Sequence, residues 1–234
     1  MNTDQSDPLL PRHVGYILDG NRRWARSHGL PDYDGHMAGY TALADVLEET
    51  FRAGVEYVSI YAFSTENWKR DSREVNSLMK LSLHAFSHDL KRMISSKVRV
   101  QFLGLREGLN QKILDVMDRA EEKSRSFTDH KLAVCFNYGG QQEIVDAVRA
   151  CYDDGLDRDA ITTQAIAERL YAPDVPPVDL VVRTSGEQRL SNFMTWRTAY
   201  SELLFMDKYW PDMTPEDVHA ILAEYASRQR RYGA

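Results

Sequence analysis

The stretch His13–Arg26, HVGYILDGNRRWAR, decides how the chain folds around its first candidate site. The mostly apolar run His13–Leu18 predicts a buried β-strand that leads directly into Asp19 and Gly20. A glycine at the strand end lets the backbone come close to a ligand, and the residues after it predict a helix start. Three arginines lie within eight residues of the carboxylate, although the chain is acidic overall. This local charge indicates an anion held together with a metal ion, although a structural ion pair around Asp19 is an equal alternative.

Alternation of short β-rich runs with helical patterns continues along the chain. Further strands are predicted at Tyr57–Phe63, Val98–Leu103, Leu132–Phe136, Asp179–Val182 and Leu203–Phe205. Helices are predicted at Thr41–Ala53, Val75–Ile94, Leu109–Lys123 and Gln141–Tyr152, with a last helix beginning at Thr214. The pattern predicts an α/β fold: one domain with a mainly parallel central sheet, covered by helices on both faces. Ligands of such sheets bind beyond the carboxyl ends of the strands.

Composition narrows the class of protein. With 29 basic and 35 acidic residues the net charge is −6, which argues against a nucleic-acid partner and makes any anion site a local cluster of arginines. Cys135 and Cys151 have neither a disulfide framework nor zinc-ligand spacing, which indicates a reducing, cytoplasmic setting. No apolar run is as long as a membrane span, so an apolar substrate would be met peripherally, at the inner face of the membrane.

The helix predicted at Val75–Ile94 has an unusually wide apolar surface. Met79, Leu83 and Phe86 form one stripe and continue toward Met93, and further apolar residues lie beside it. A well-buried helix explains this pattern, and so does a helix that covers the sheet with one stripe and lines a cavity with the other.

A second strand ends in IYAFSTENWKR. Four small or polar residues, Ser64–Asn67, stand at its end, and Trp68 and Arg70 follow. A capped helix start accounts for them, and they are also candidate site residues because they share the sheet edge with Asp19.

A third strand ends in VDLVVRTSGEQRLSNF. Arg183 closes the strand, and Arg189 and Ser191 follow across a glycine-containing loop. Two arginines and a hydroxyl suit bidentate phosphate binding, although a surface loop with spare charge gives the same pattern. Glu202 begins the next apolar run and is a candidate second carboxylate for a metal.

Several common enzyme classes lack their motifs. The chain has no G-x-x-x-x-G-K-[ST] loop, no G-x-G-x-x-G loop and no G-x-S-x-G elbow. The usual mononucleotide, dinucleotide and serine-hydrolase interpretations are therefore disfavoured.

Taken together, these segments resemble the cis-prenyltransferases, the undecaprenyl diphosphate synthase family. The resemblance rests on HVGYILDGNRRWA, on GH at Gly35-His36, on YAFSTENWKR, on FNYGG at Phe136–Gly140, on RTSGEQRLSNF and on AYSEL, in order from about His13 to Gly233. It implies a catalytic domain at 13–234 after a flexible segment at 1–12, a parallel-sheet fold with an apolar tunnel, and a homodimer. It also implies a transferase that condenses isopentenyl diphosphate with an allylic diphosphate, using Mg²⁺, to form Z double bonds.

The resemblance assigns a role to each candidate residue. Asp19 becomes the catalytic aspartate and a metal ligand, Glu202 the second metal carboxylate, and Asn67 the residue that helps to remove the isopentenyl proton. The tail Arg231-Tyr232-Gly233 would reach the site of the partner subunit. Substrate binding is assigned to Gly20, Asn21, Arg22, Arg23, Trp24, His36, Ser64, Thr65, Glu66, Trp68, Arg70, Arg183, Arg189, Leu190 and Ser191.

Three positions depart from the family pattern. Asp32 stands where a basic residue is common, Arg22 where glycine is common, and Gln188 where many members have a histidine that contributes to the metal site. We expect Arg22 to replace the missing cation while Asp32 turns outward or pairs with a neighbouring arginine. The alternative is that Arg22 is a solvated surface residue.

Product length is the least constrained expectation. Ala62 is small at a position where a bulky residue is associated with short products, so the resemblance implies a medium chain of about C50–C55, a lipid carrier for cell-wall synthesis, from farnesyl or geranyl diphosphate. A short-chain synthase remains an alternative.

A non-catalytic prenyltransferase-like subunit would lack Asp19 and Asn67, and both are present. A generic phosphate-ester enzyme or nucleotide-binding module would have no long apolar tunnel.

Overall fold

The computed structural model describes residues 10–88 and 95–228, which contain six β-strands in one sheet. In chain order the strands are β1 (His13–Ile17), β2 (Tyr57–Ser64), β3 (Val98–Leu103), β4 (His130–Tyr138), β5 (Leu180–Arg183) and β6 (Glu202–Phe205). Across the sheet they follow the order β3-β4-β2-β1-β5-β6, and all neighbouring strands are parallel. The predicted parallel sheet is confirmed.

Helices connect the strands. The described α-helices are α1 (Asn21–Ser27), α2 (Asp32–Arg52), α3 (Ser72–His88), α4 (Gln111–Ser124), α5 (Gly140–Asp153), α6 (Thr163–Ala167) and α7 (Pro215–Ser227). Short 3₁₀ turns lie at Thr65–Lys69, Arg158–Ala160 and Trp210–Asp212. The last helix begins as predicted, because Thr214 and Asp217 form a capping box ahead of it. The short helix α6 was not predicted.

The two faces of the sheet carry separate apolar clusters, because successive strand residues point to opposite faces. Val14 and Tyr16 of β1 belong to the larger cluster, which packs under α2, α3, α4 and α7. Ile17 belongs to a smaller cluster that includes Tyr138, and Glu143 of α5 bonds to the Tyr138 hydroxyl on that face. Coverage of both faces, as predicted, is confirmed.

Helix α2 begins at Asp32 rather than at the predicted Thr41. Gly35 and Gly39 weaken the helical pattern of the first turns, since glycine has a low helix propensity. Packing leaves no room for a side chain at these positions, because a Cβ on Gly35 would lie 2.0 Å from the Asn21 backbone oxygen. The contact with α1 therefore outweighs propensity, and the sequence pattern does not reveal this.

Several expectations lie outside the described residues. Helix α3 is described to His88, so the predicted end of this helix at 89–94 is not covered, nor are residues 1–9 or the tail Arg231-Tyr232-Gly233. The boundary at residue 12 stays a prediction. Within 10–88 and 95–228, no helix is both long enough and apolar enough to cross a membrane.

Strand β1 lies between β2 and β5, and this position creates the crevice for the site. The chain leaves β1 toward α1 and α2 on one face, whereas the loop after β5 carries Phe193 into the cluster on the other face. Loops that diverge from adjacent parallel strands leave a gap at the carboxyl edge, where ligands bind in such sheets.

Candidate active site

The ends of β1, β2 and β5 meet at the carboxyl edge of the sheet. Asp19 follows β1, and its carboxylate accepts hydrogen bonds from Arg183 Nη2 at 2.8 Å and from Arg23 Nη2 at 3.3 Å. Its backbone carbonyl accepts from the Thr184 hydroxyl at 2.6 Å and from the Trp210 N–H at 3.0 Å. Asp19 is thus fixed in position, with its carboxylate among arginines from two loops.

Gly20 makes the turn after Asp19 possible. Its φ is +106°, and a Cβ would lie 2.8 Å from Tyr209 Cδ1 and 3.1 Å from Ser185 Oγ. Only glycine satisfies both the left-handed backbone and the lack of space. The groups that approach Gly20 here are the side chains of Tyr209 and Ser185, and the approach of its backbone to a ligand stays a prediction.

A polar pocket of about 260 Å³ opens at this edge. Three elements contribute its lining, which consists of Leu18, Asp19, Gly20, Asn21, Arg22, Arg23, Arg26, His36 and Arg70. Glu74 of α3 holds two of the arginines: Arg70 Nη1 lies 2.9 Å from its carboxylate and Arg22 Nη1 lies 3.3 Å away. Four arginines without a lysine are suited to planar, bidentate anions such as phosphates.

Asp32 pairs with arginines rather than facing solvent alone. Arg22 Nε donates to Asp32 Oδ2 at 3.0 Å, and Arg26 Nε donates to Oδ1 at 3.2 Å. The hydrogen bond from Arg26 is the main cause that lowers the pKa of the Asp32 carboxyl. Arg22 therefore lies in the pocket, between Asp32 and Glu74, and is not a freely solvated residue.

His36 contributes a neutral imidazole to the polar pocket. Burial lowers its pKa to about 4, and the positive charge of Arg70 adds to the lowering. Its Nε2 is buried, has no hydrogen-bond partner and lies 4.0 Å from Glu74. At neutral pH His36 therefore acts as a hydrogen-bonding group and not as a cation.

Unsatisfied polar atoms concentrate at this edge of the sheet. In the described part of the chain, five buried side-chain polar atoms have no partner, and four of them are Asn21 Oδ1, His36 Nε2, Arg183 Nε and Ser185 Oγ. Buried polar atoms in folded proteins normally have partners. Their clustering around Asp19 indicates that these groups serve a ligand.

The loop after β5 is joined to the loop after β1 by Glu187. Its carboxylate accepts from Arg23 Nη1 at 3.1 Å and also pairs with Arg189, whose hydrogen bond lowers the pKa of Glu187. Arg183 is buried and donates to Ser191 Oγ at 2.8 Å, so Asp19 and Ser191 lie on two sides of one guanidinium. Leu190 packs against the smaller apolar cluster.

Backbone strain marks the same loop. Ser185, Ser191, Asn192 and Met194 all have positive φ, which is uncommon outside glycine and concentrates at functional sites. Asn192 holds the strand end of β2, because its Nδ2 donates to Glu66 Oε1 at 3.1 Å.

The FNYGG motif keeps the loop after β5 close to the end of β2. A Cβ on Gly139 would lie 2.8 Å from Thr65 Oγ1 and 2.9 Å from Asn192 Nδ2. Glu74, Glu187 and Asn192 were not predicted as site residues, since each reaches the site through a contact with a segment far away in sequence. The FNYGG motif was the only signal near the contact of Asn192.

The two candidate tryptophans lie at the margin of the site. Trp24 Nε1 donates to Asp212 Oδ1 at 2.6 Å, and its ring stacks on His28, so it is not among the residues that line the polar pocket. Trp68 Nε1 donates to Asn137 Oδ1 at 2.7 Å. The structure places both rings in fixed hydrogen bonds, and their contact with substrate stays a prediction.

A separate apolar cavity of about 240 Å³ lies between α2, α3 and strands β2 to β4. It begins one helical turn beyond the polar pocket, because His36 lines the pocket and Tyr40 lines the cavity on the same helix. The rings of Phe51 and His130 contact each other in a tilted arrangement among the residues at its far end. Phe86 of the first apolar stripe on α3 lines this cavity as well as packing against the core, and Ala85, which lies beside that stripe, also lines it.

Ala62 lies on β2, between Ile60 of the apolar cavity and the strand end at Ser64. The pairing of β2 with β4 is irregular between Tyr61 and Phe63, so Ala62 is the extra residue of a β-bulge. It is partly buried against the larger cluster, and Ile60, two residues earlier, is the residue of β2 that lines the apolar cavity.

Glu202 does not lie near Asp19 within one chain. It is the first residue of β6 and stands in register with Leu180 of β5 and Val14 of β1. Asp19 lies five residues beyond Val14, which is about 16 Å along a strand. Arg228 Nη1 pairs with Glu202 at 3.0 Å. A metal site that uses both carboxylates cannot be built from one chain.

A magnesium site at Asp19 would have one protein carboxylate, and phosphate oxygens of the substrate would complete it. Within the described residues, no group of three or more His, Cys, Asp or Glu side chains forms a metal cluster. Mg²⁺ is commonly held by one or two carboxylates together with phosphate oxygens. A partly exposed carboxylate in an arginine-lined pocket offers such a position.

A polar pocket lies beside an apolar cavity at the carboxyl edge of a parallel sheet, where α/β enzymes bind their ligands, and this arrangement defines the class as an α/β enzyme. Residues 17–233 match the family model for undecaprenyl diphosphate synthase. The chain belongs to this family and is a cis-prenyltransferase, as the sequence resemblance implied.

Individual relatives are similar over nearly the whole chain. An isoprenyl transferase of Thermotoga maritima is 42% identical over 226 residues, which cover 96% of this chain and 97% of the relative. A trans,polycis-polyprenyl diphosphate synthase of Thermobifida fusca, specific for (2Z,6E)-farnesyl diphosphate, is 42% identical over 96% of this chain and 81% of the relative. Lavandulyl diphosphate synthase of Lavandula x intermedia, solved with dimethylallyl diphosphate, has a TM-score of 0.93 and 30% identity, covering 97% of this chain and 100% of that one.

Proposed function

We propose that this cis-prenyltransferase condenses isopentenyl diphosphate with an allylic diphosphate, in the presence of Mg²⁺, to give a Z-polyprenyl diphosphate. The observation that carries the proposal is the order of groups along α2, where His36 lines the polar pocket and Tyr40 begins the apolar cavity one turn later. A diphosphate head in the pocket would direct its hydrocarbon tail into the cavity.

The allylic diphosphate would bind the polar pocket. Arg22, Arg23 and Arg70 supply positive charge there, and neutral His36 supplies a hydrogen bond. When the allylic C–O bond breaks, negative charge develops on the leaving diphosphate, and fixed arginines stabilise that charge. Glu74 keeps the guanidinium groups oriented before the substrate binds.

The isopentenyl diphosphate would bind across the loop after β5. Arg189 is exposed there and Ser191 lies beside buried Arg183, so the three groups can grip one diphosphate. Arg189 would exchange its pairing with Glu187 for the substrate. This arrangement places the second diphosphate beside Asp19, which Arg183 contacts directly.

Asp19 would hold Mg²⁺ together with diphosphate oxygens. The bound ion would supply charge neutralisation for the departing diphosphate. Glu202 could add a second carboxylate only from another copy of the chain, because it lies at the opposite edge of the sheet. This geometry supports a homodimer, as do the exposed apolar side chains of Val145, Val148 and Tyr152 on one face of α5.

A medium-chain product of about C50–C55 is our first candidate, by family analogy. The cavity volume favours a short-chain product as the second candidate. A cavity of 150 Å³ accommodates benzene, so the 240 Å³ cavity has room for about ten carbons as it stands. A medium-chain product would require the cavity to lengthen during synthesis. The enzyme would act in the cytoplasm and meet the inner face of the membrane to release a long product.

One incubation tests the reaction and the product together. Purified protein is mixed with farnesyl or geranyl diphosphate, labelled isopentenyl diphosphate and Mg²⁺, and product length is analysed after removal of the diphosphate. Elongated product that disappears when the metal is chelated would support the proposal. Failure to elongate any allylic diphosphate would overturn it, and the mass of the native protein in solution tests the dimer.

A further inference from the structure

Two histidines lie one turn apart in the last described turns of α3. His84 and His88 are separated by four residues, so their side chains project from the same face of the helix. Both residues are exposed, and their rings lie nearly parallel, with centroids 5.4 Å apart and an interplanar angle of 21°. The proposed reaction makes no use of this pair.

The separation of the two rings suits a shared metal ion. Imidazole nitrogen is a common ligand of Zn²⁺, Cu²⁺ and Ni²⁺. With metal–nitrogen distances of about 2.0–2.1 Å and tetrahedral angles, the centres of two chelating rings lie about 5 Å apart. The rings of His84 and His88 are close to this separation. Rotation about χ2, a torsion with broad minima in histidine, would turn one nitrogen of each ring toward the same ion.

Helix α2 supports one side of the pair. The ring of Tyr40 on α2 lies edge-on to the ring of His84, with centroids 6.2 Å apart. This contact limits the orientations of His84, so less side-chain entropy is lost when a ligand binds. Within residues 10–88 and 95–228, no third His, Cys, Asp or Glu joins the pair in a cluster, so water would complete the coordination of an ion. Such a site binds an exchangeable ion rather than a permanent structural one.

We propose that His84 and His88 form a binding site for a divalent transition-metal ion, which joins two successive turns of α3. One nitrogen of each ring would bind the ion. The ion must be one that prefers nitrogen ligands, such as Zn²⁺, Cu²⁺ or Ni²⁺, because Mg²⁺ prefers oxygen. The site is therefore distinct in place and in chemistry from the Mg²⁺ position proposed at Asp19.

A metal ion at this position would stiffen one wall of the apolar cavity. Ala85 and Phe86 follow His84 directly, and both line the cavity together with Tyr40. A medium-chain product requires the cavity to lengthen, and a wall that is fixed by a metal ion opposes this change. A bound ion should therefore shift the products to shorter chains. This consequence rests on the proposed function, whereas the metal site does not.

The first experiment measures binding of Cu²⁺ to the purified enzyme in the presence of Mg²⁺, by calorimetry and electron paramagnetic resonance. We expect one Cu²⁺ with nitrogen couplings from two imidazoles. His84→Ala and His88→Ala should each weaken binding at least about tenfold, because the second imidazole binds at an effective concentration in the millimolar range. His219→Ala is the matched control, since His219 is also exposed and pairs with Glu49. Unchanged affinity in both α3 variants, or an equal loss in the control, would overturn the proposal.

The second experiment compares the enzyme with and without Zn²⁺. An ion that binds only the folded chain raises the midpoint of thermal unfolding, so Zn²⁺ should raise it in the wild type and not in His84→Ala. With Mg²⁺ present, Zn²⁺ should also shorten the dephosphorylated products of the wild type alone. The same shortening in His84→Ala, or no shortening in the wild type, would overturn the link to the cavity. Absence of elongation without Zn²⁺ would instead contradict the proposed function.

Discussion

The polar pocket and the apolar cavity lie one helical turn apart and are built in opposite ways. In the pocket, charged groups are held by partners from distant segments, as Arg22 is held by Asp32 and Glu74. In the cavity, aliphatic and aromatic side chains from α2, α3 and three strands surround a space with few polar groups. Recognition of the charged head of the substrate therefore depends on individual contacts, whereas accommodation of its apolar tail depends on the shape of the cavity. Substitutions in the pocket should therefore change rate and affinity, and substitutions at the cavity should change the product.

The largest effect should come from Asp19, which tests whether the pocket alone controls rate. Asp19→Ala, and Asp19→Asn with its hydrogen-bond acceptor retained, should reduce turnover by about 10²- to 10³-fold, because a charge-stabilising group is lost at the reacting centre. Steady-state kinetics measure the loss, and circular dichroism checks the fold. Asp115→Ala, an exposed carboxylate on α4, is the control. Wild-type turnover in the Asp19 variants would remove this residue from the mechanism.

The next largest effect is on the pH dependence of stability. It tests whether His36, at the boundary between the polar pocket and the apolar cavity, is neutral. Its pKa is about 4 in the folded chain and 6.5 in the unfolded chain, so the unfolded chain binds more protons between these values. The free energy of unfolding should therefore fall as the pH falls from 6.5 to 4, with His36 contributing about 2–3 kcal/mol near the acid end. Buried His13 has the same lowered pKa and contributes a similar amount.

Urea unfolding at several pH values measures this dependence. In His36→Gln, roughly half of the histidine contribution should remain, because His13 is unchanged. An identical pH slope in variant and wild type would show that His36 is not held neutral by its surroundings. Carboxyl groups with lowered pKa, such as those of Asp32 and Glu56, add their own loss at the acid end of this range and below it.

A smaller effect on kinetics should come from substitution of Arg22. It tests whether Arg22 replaces the basic residue that is common in the family at the position of Asp32. Arg22→Gly should raise the allylic KM by about ten- to a hundredfold, the equivalent of one charge-assisted hydrogen bond, and should change the isopentenyl KM little. The substitution also removes one of the two arginines that pair with Asp32 and leaves Arg26 as the other, so the negative charge of Asp32 is less well neutralised beside the diphosphate. Adding Asp32→Arg should restore much of the affinity. If allylic kinetics do not respond to Arg22→Gly, the compensation hypothesis is incorrect.

The smallest effect on rate, but the clearest on product, should come from Ala62. Ala62→Leu adds volume at the bulge in β2, between the pocket and Ile60 of the cavity. The product distribution should shift to shorter chains with turnover of the first condensation nearly unchanged, since no charged contact is altered. Chromatography of the dephosphorylated products measures the shift. An unchanged distribution would place the growing chain elsewhere.

Local sequence predicted the parts of the molecule that depend on neighbours along the chain. The strand before Asp19, the glycine turn and the capping box at Thr214 each need only a few adjacent residues. The placement of the three strand ends at one edge followed from strand–helix alternation alone, because parallel strands bring their carboxyl ends together.

The remaining features depend on contacts that local patterns do not encode. The first turns of α2 were missed because Gly35 is selected by its contact with Asn21 rather than by helix propensity. Glu187 was missed because its partner Arg23 lies 164 residues away. The distance of Glu202 from Asp19 follows from the register of β6, which is set by β5 and not by the sequence between them.

The uninterrupted helix α2 also acts as a ruler. It joins His36, at the head of the substrate site, to Phe51, among the residues at the far end of the cavity, over fifteen residues or about 22 Å. A helix does not stretch, so the head site and the end wall keep a constant separation while hydrocarbon accumulates between them. Elongation should therefore stop when the tail contacts Phe51, unless the side chains at that end of the cavity move aside. A kink introduced midway along α2 would change product length without altering any residue that touches a diphosphate.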